Sequence, residues 1–322
     1  MVAKHLARAS RTITMTHASA PGKIILFGEH AVVYGRPALA VPVTQVHADV
    51  DVSDSPRPGI WIEAPDIYLR AELNTLSSDH PIASVIHNFL FLLRVSRFPN
   101  LAIKIISTIP VASGLGSGAA VTVALTRALA AHLNYAMADE EVNAFTYEIE
   151  KLHHGTPSGI DNTVVNYARP VYFVKGQPIE TFHVGKPFTI VIADTGISAP
   201  TNESVGDVRR LWMNDRSRWE TVFDKIGEIS FTARRAIEAG KPELLGELMN
   251  ENHALLKTLT VSSPELDKLV EAAQQAGALG AKMSGGGRGG NMIALVESEH
   301  AETVSRTLKE AGARNTIRTQ IL

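Results

Sequence analysis

A chain of 322 residues, 45% of them apolar and 20% charged, has the composition of an ordinary folded protein with one large domain or two lobes. A formal net charge of −2 creates no global field toward nucleic acid or an anionic membrane, so any anionic ligand has to be caught locally. With no cysteine, disulfides, thiolate nucleophiles and Cys-ligated metal centres are excluded, and a cytoplasmic location is expected.

Residues 1–14 carry Lys4, Arg8 and Arg11 with no acid and no secretory-type apolar core. They read as a flexible tail, or as sequence upstream of a start at Met15, with a targeting peptide as the alternative. Thr12 to Phe27 is extended in pattern and broken by Ala20-Pro21-Gly22. The Val-rich run Ala38 to Val52 reads as a strand, Asp54 to Gly59 as a turn, and Ile60 to Ala64 as a strand returning in a hairpin. Helical spacing marks Pro81 to Val95, and Leu101 to Ser107 is a short strand. Phe89 to Leu93, the most apolar short run, is far too short to span a bilayer.

A glycine cluster then precedes a small-residue helix over Ala119 to Leu133. Asp139 to Leu152 is a second helix with acids at its N-terminal end, where the helix dipole favours them. Strands follow at Pro170 to Val174 and Phe188 to Ala193. Asn202 to Ala239, Pro242 to Leu259 and Ser263 to Ala276 are mainly helical, with breaks at Gly240 and near Ser262. A strand at Leu279 to Met283, a second glycine cluster, a strand at Asn291 to Val296, a helix at His300 to Gly312 and a strand at Thr316 to Leu322 close the chain. Strands and helices mix without regular βαβ alternation. That predicts an α+β fold of two lobes cut near Gly185-Lys186-Pro187, with a 1–14 tail, an N-terminal domain over 15–185 and a C-terminal domain over 186–322.

Four segments carry chemistry. Pro110-Val-Ala-Ser-Gly-Leu-Gly-Ser-Gly-Ala-Ala120 lies between a strand and a helix, with Gly114, Gly116 and Gly118 baring backbone at a helix N-terminus. That is a recipe for holding phosphate, and equally a plain tight turn. No Lys-Ser/Thr pair follows, so it is not a Walker loop, and the G-x-G-x-G spacing is not the dinucleotide fingerprint. In the second segment Lys23 stands before an apolar strand and Glu29-His30 after it. A buried lysine beside a reacting hydroxyl would help both phosphate and alkoxide, while a surface lysine and a helix-capping His30 are the plain alternative. Tyr34 stands open between a nucleotide-base contact and a core or lid role.

The third segment, Glu148 to Asn162, runs from a helix through Gly-Thr-Pro-Ser-Gly to Asp161, with Glu150 on the helix. One carboxylate for Mg²⁺ and one near the acceptor hydroxyl is what phosphoryl transfer asks for. His153 and His154 are neighbours in sequence and do not share a helix face, so they read as structural or pocket-wall residues. The fourth, Lys282-Met-Ser-Gly-Gly-Gly-Arg-Gly-Gly-Asn291, has too many glycines for an ordinary hairpin. Arg288 there either clamps phosphate or is solvated on a flexible loop.

These four segments, in this order, resemble the GHMP kinases over roughly Ser19 to Val296, and within them Ala20-to-Ala40 and His154-to-Asn162 look most like the mevalonate kinase branch. The resemblance implies a two-lobed fold, the N-terminal lobe like ribosomal protein S5 and the C-terminal lobe ferredoxin-like, with the site between. It implies ATP and Mg²⁺ as cofactors and mevalonate as acceptor, phosphorylated on its 5-hydroxyl, with no nucleic acid and no membrane as partners. A kinase for phosphomevalonate or another small hydroxy acid is the nearest rival, and a silent binding protein a more distant one. Assembly stands open between monomer and homodimer.

By position, Lys23 and Asp161 match the family's catalytic pair, and both match substrate positions. Ser117 and Glu150 match Mg²⁺-associated positions. Pro110, Ser113, Gly114, Leu115, Gly116, Ser117, Gly118 and Ala119 match the loop around the ATP phosphates. Glu29, His30 and Thr201 match positions near acceptor or reacting phosphate, and Gly285, Gly286 and Gly287 the supporting loop. Departures fall at Gly118, where relatives often carry a second serine, at Ala199, and at Arg288 and Asn291, where relatives commonly have Gly and Cys.

Overall fold

The computed structural model describes residues 15–95, 97–110, 113–154, 157–198 and 201–322; the 1–14 tail, Val111-Ala112, Gly155-Thr156, Ala199 and the His154 side chain lie outside the described residues. The first half runs β1 (Met15–Phe27), β2 (Ala38–Asp54), β3 (Ile60–Ala64), β4 (Leu69–Glu72), α1 (Pro81–Leu92), β5 (Leu101–Ser107), α2 (Ser117–His132), α3 (Asp139–His154), α4 (Ile160–Tyr167), β6 (Val171–Phe173) and β7 (Glu180–Thr181). The second runs β8 (Phe188–Asp194), α5 (Thr201–Asn214), α6 (Arg216–Glu238), α7 (Leu245–Thr258), α8 (Pro264–Gln275), β9 (Gly280–Ser284), β10 (Asn291–Val296), α9 (Ala301–Glu310) and β11 (Asn315–Ile321).

Among the described residues the strands form two sheets. The first has the order β4-β3-β5-β2-β6-β7, with β1 paired to β2. The second is antiparallel, in the order β11-β8-β10-β9. The mixed fold is α+β. The expected β2–β3 hairpin is corrected: β3 pairs in parallel with β5 and antiparallel with β4, and β5 takes the place beside β2. Alternating apolar residues on β5, Leu101, Ile103 and Ile105, are buried with Val50 and Val52 of β2. A place between β2 and β3 pairs both edges of β5 and sets that row in the same core.

Five alanines of α2 are buried, so its backbone can lie close on β1 and β2. Strands β8 and β10 are buried on both faces. Ile190, Ile192, Ile293 and Leu295 join the core that includes β1 and β2, and Val191, Ala193, Met292 and Ala294 join one shared with α8 and α9. Core packing therefore continues from one lobe into the other. Helices α5 and α6 reinforce the seam: the Tyr34 ring stacks on Phe223 of α6 at 4.1 Å and tilts against Trp212 of α5 at 5.3 Å. Arg36 pairs with Asp224 at 2.8 Å and also with Glu220. Tyr34 thus has a core role between the lobes.

Glycine also sets one close approach. Gly246 of α7 touches the chain at β9, where an added Cβ would lie 2.4 Å from the Leu279 carbonyl oxygen. Gly206 of α5, by contrast, faces only the tip of Arg210 among the described residues, at 4.0 Å. Gly246→Ala is expected to destabilise by about 1–3 kcal/mol through overpacking, and Gly206→Ala to be neutral or stabilising through helix propensity. Thermal unfolding of the two variants checks this; equal melting temperatures would contradict the packing described.

Candidate active site

The site begins at an irregularity in β1. Its register against β2 shifts between Pro21 and Gly22, because residues 44–46 bulge out of β2. The shift turns Lys23 toward the glycine turn at the head of α2. Its backbone N–H donates to the Leu115 carbonyl at 2.9 Å. Its stem lies where a Cβ on Gly116 would sit 2.8 Å from Lys23 Cγ, and Gly116 has φ +77°, a left-handed conformation that a Cβ would also strain. The ammonium, 7% exposed, meets Asp161 Oδ1 at 3.0 Å.

Asp161 stands in the first turn of α4, which starts after Gly159 at φ 90°. Its carboxylate stays 37% exposed, so one face of the pair is open. Gly116 is the N-cap of α2 and offers no side-chain acceptor. Helix geometry leaves the N–H groups of Ser117, Gly118 and Ala119 without intrahelical partners, at the positive end of the dipole. Gly114 and Gly118 are exposed, and Ser113 and Leu115 are buried. The Ser113 hydroxyl donates to the Pro110 carbonyl at 2.7 Å, which fixes the start of the turn. Glu150 of α3 is 9% exposed and its carboxylate lies 3.6 Å from where a Gly118 Cβ would be. Ser117, at the first position of α2, and Glu150 therefore border the same turn. His153 bonds Ser84 at 2.9 Å and is structural.

The second half of the site is the loop between β9 and β10. Glu29 and His30 leave β1 and enter it. The Glu29 carboxylate pairs with Lys282 of β9, both almost fully buried, and Lys282 also donates to the Met283 carbonyl at 2.7 Å. His30, held at φ 62°, shares a hydrogen bond of 3.1 Å between Nε2 and the Gly286 carbonyl. Ser284 donates to the Ile25 carbonyl at 2.7 Å. Thr201, first residue of α5, packs on Gly286 so closely that a Cβ there would sit 2.8 Å from its Oγ1. Gly287 is buried against the Val261 carbonyl, and Gly285 is half-buried beside Glu29. The loop thus touches Glu29, His30 and Thr201, while Lys23, Asp161, Ser117 and Glu150 gather at the α2 turn. Asn291 links the halves by donating its amide to the Ser113 carbonyl.

Arg288 is held by partners in its own lobe, with its side chain 35% exposed. Its guanidinium pairs with Asp207 of α5 and reaches the Thr260 carbonyl at 3.3 Å. Lys282 and Asn291 carried no role in the sequence reading, though both lie inside the fourth motif. A lysine flanked by Ala281 and Met283 in a wholly buried strand was the available signal.

Burial pushes the Glu29 carboxyl up and the Lys282 ammonium down, and their mutual attraction opposes both shifts. Removing one partner of a buried pair typically costs about 3–5 kcal/mol. Burial also lowers His30 to about 4, against the favourable Gly286 carbonyl. His253 of α7 is likewise lowered to about 4 by burial, which outweighs Asp267. Its Nδ1 accepts the Met283 N–H at 3.3 Å, so that nitrogen is unprotonated. Its Nε2 faces Asp267 at 3.2 Å.

Both halves of the chain match one family. Residues 82–168 match the GHMP kinases N terminal domain and residues 233–314 the GHMP kinases C terminal domain. A mevalonate kinase of Pyrococcus abyssi is 36% identical over 312 residues, covering 92% of each chain. The crystal structure of L. major mevalonate kinase in complex with R-mevalonate is similar with a TM-score of 0.85 and 29% identity, covering 97% of each chain. Mevalonate kinase from methicillin-resistant Staphylococcus aureus MRSA252 reaches a TM-score of 0.73 at 31% identity, over 94% of this chain and 98% of its own.

The two neutral histidines give stability a pH dependence. Their folded pKa values lie below the ordinary 6.5, so between about 6.5 and 4 the unfolded chain binds protons that the folded chain refuses. Stability is full above that window and falls as pH drops through it. Melting temperature should decline from pH 7 to pH 5, less steeply in His253→Gln. An identical slope in the variant would contradict a neutral buried His253.

Proposed function

We propose that this chain, which belongs to the GHMP kinase family, transfers the γ-phosphoryl group of ATP to the 5-hydroxyl of mevalonate, giving 5-phosphomevalonate and ADP. The observation that carries the reading is the 3.0 Å contact of Lys23 with Asp161, made beside the glycine turn at the N-terminus of α2. A phosphate needs the amides, an alcohol about to become an oxyanion needs the ammonium, and its proton needs the carboxylate.

ATP phosphates are assigned to the 113–119 backbone, where unpaired N–H groups and the helix dipole converge. Ser117 and Glu150 suit Mg²⁺, a hard ion that takes oxygen ligands and usually only one or two from protein. Bound there, Mg²⁺ would neutralise phosphate charge. Glu29, His30 and Thr201 are assigned to the acceptor side, with Gly285, Gly286 and Gly287 as the loop that supports them. Neutral His30, with Nε2–H donated to Gly286, keeps Nδ1 as an acceptor, suited to a hydroxyl and not to an anion.

In the transfer, the acceptor oxygen bonds to the γ-phosphorus as the bond from phosphorus to the β,γ-bridging oxygen breaks. The hydroxyl proton passes to the Asp161 carboxylate. Lys23 lowers the hydroxyl's pKa and balances charge on the moving phosphoryl group. Positioning and charge neutralisation supply most of the acceleration, and no covalent enzyme intermediate is required.

A coupled ADP-release assay with mevalonate, phosphomevalonate and homoserine tests the assignment. Mevalonate should give the highest kcat/KM by a wide margin; preference for another acceptor would replace it. Asp161→Asn should lower turnover by about 100- to 10,000-fold, as loss of a general base does. Lys23→Met should lower it by about 100- to 1,000-fold, as loss of one oxyanion donor does. ATP binding should persist in both, and near-normal turnover in either variant would remove that residue from the mechanism.

A further inference from the structure

Asn291 opens β10 at the boundary between the lobes. Its backbone is fixed from both sides, paired with Ser284 of β9 and with Asp194 of β8. Its side chain does not stay in its own sheet. The amide nitrogen crosses to the N-terminal lobe and donates to the Ser113 carbonyl. Ser113 is the described residue that begins the glycine turn, and the next residue, Gly114, has its Cβ direction 3.9 Å from the same nitrogen. Asn291 is 3% exposed, and its Oδ1 is buried without a hydrogen-bond partner among the described residues. The adjoining cavity, lined by Pro110, Ser113, Asp194 and Asn315, is only about 10 Å³. The nitrogen end of the amide faces Ser113 because a carbonyl oxygen can only accept, so a flipped amide would set two acceptors against each other.

An amide retained with one atom unpaired costs stability, which an apolar residue of similar size would not. The return lies at the other end of the bond. The carbonyl of Ser113 and the N–H groups that follow belong to one short run of peptide planes, so holding the carbonyl orients the donors up to the α2 N-terminus. We propose that Asn291 is a positioning residue for the nucleotide: the C-terminal sheet uses it to hold the 113–118 turn in its phosphate-receiving shape. The inference rests on the reading of that turn as the ATP site. No other described side chain of the second sheet bonds to the 113–118 turn.

The test compares wild type with Asn291→Asp and Asn291→Ser. Asn291→Asp keeps the shape but turns the donor into a second acceptor facing Ser113. Steady-state constants for both substrates and calorimetric binding of a non-hydrolysable ATP analogue with Mg²⁺ are measured from pH 8 to pH 6. At pH 8 Asn291→Asp should raise the KM for ATP about tenfold or more, and weaken analogue binding in parallel, with the KM for mevalonate within about twofold of wild type. As pH falls, the buried carboxyl takes up a proton and can again donate to the carbonyl, so the gap from wild type at each pH should narrow. Asn291→Ser should show the same ATP-specific weakening without the pH recovery, and it carries the test if the aspartate variant does not fold.

Equal losses in both KM values, an unchanged ATP constant, or a gap that ignores pH in a folded aspartate variant would overturn the inference while leaving the kinase reading intact. A wild type that binds no nucleotide would overturn both.

Discussion

Everything in the site depends on where Lys23 is held. Its backbone N–H belongs to the Leu115 carbonyl, its stem fills the space that Gly116 leaves, and its ammonium rests on Asp161. One residue thereby joins the β1 irregularity, the glycine turn and the start of α4. A lysine in a regular strand would alternate in or out and could not satisfy all three. The shift at Pro21/Gly22 aims it. The unequal exposure of the pair is equally functional, since the cation is shut in and the carboxylate faces open space.

Around that contact, the seam between the lobes is built from polar links set in an apolar bed. Lys282 with Glu29, His30 with Gly286, Ser284 with Ile25 and Asn291 with Ser113 all cross it. Each is directional, while the shared packing of Ile190, Ile192, Ile293 and Leu295 with the first sheet is not. The apolar contacts supply cohesion, and the polar ones fix the registration that a two-substrate reaction needs. Arg288 on Asp207 extends this to α5, the helix that carries Thr201.

Most of the local order was legible in the sequence, and long-range pairing was not. The strand at Leu101 to Ser107 and the helix starting at Asp139 follow from periodicity and end signals alone. The β2–β3 hairpin was misread because a turn-rich Asp54 to Gly59 says nothing about which strand will be captured between its arms. Helix α4 was missed since Ile160, Thr163, Val164 and Val165 are β-branched, and packing against Val32 and Val171 makes it helical despite that. The break at Asp215 was missed as well; its side chain caps α6 by accepting from Arg218 N–H at 3.1 Å, an ordinary signal hidden in a charged run. The motifs located the site residues, but the partners of Lys282, Arg288 and Asn291 lie far away in sequence and only the fold supplies them.

The most direct measurement is a crystal structure with a non-hydrolysable ATP analogue, Mg²⁺ and mevalonate bound together. The account predicts terminal phosphate on the 113–119 amides and the 5-hydroxyl between Lys23 Nζ and the Asp161 carboxylate, in line with the γ-phosphorus. An acceptor hydroxyl bound away from both side chains, or triphosphate seated elsewhere than the α2 turn, would contradict it.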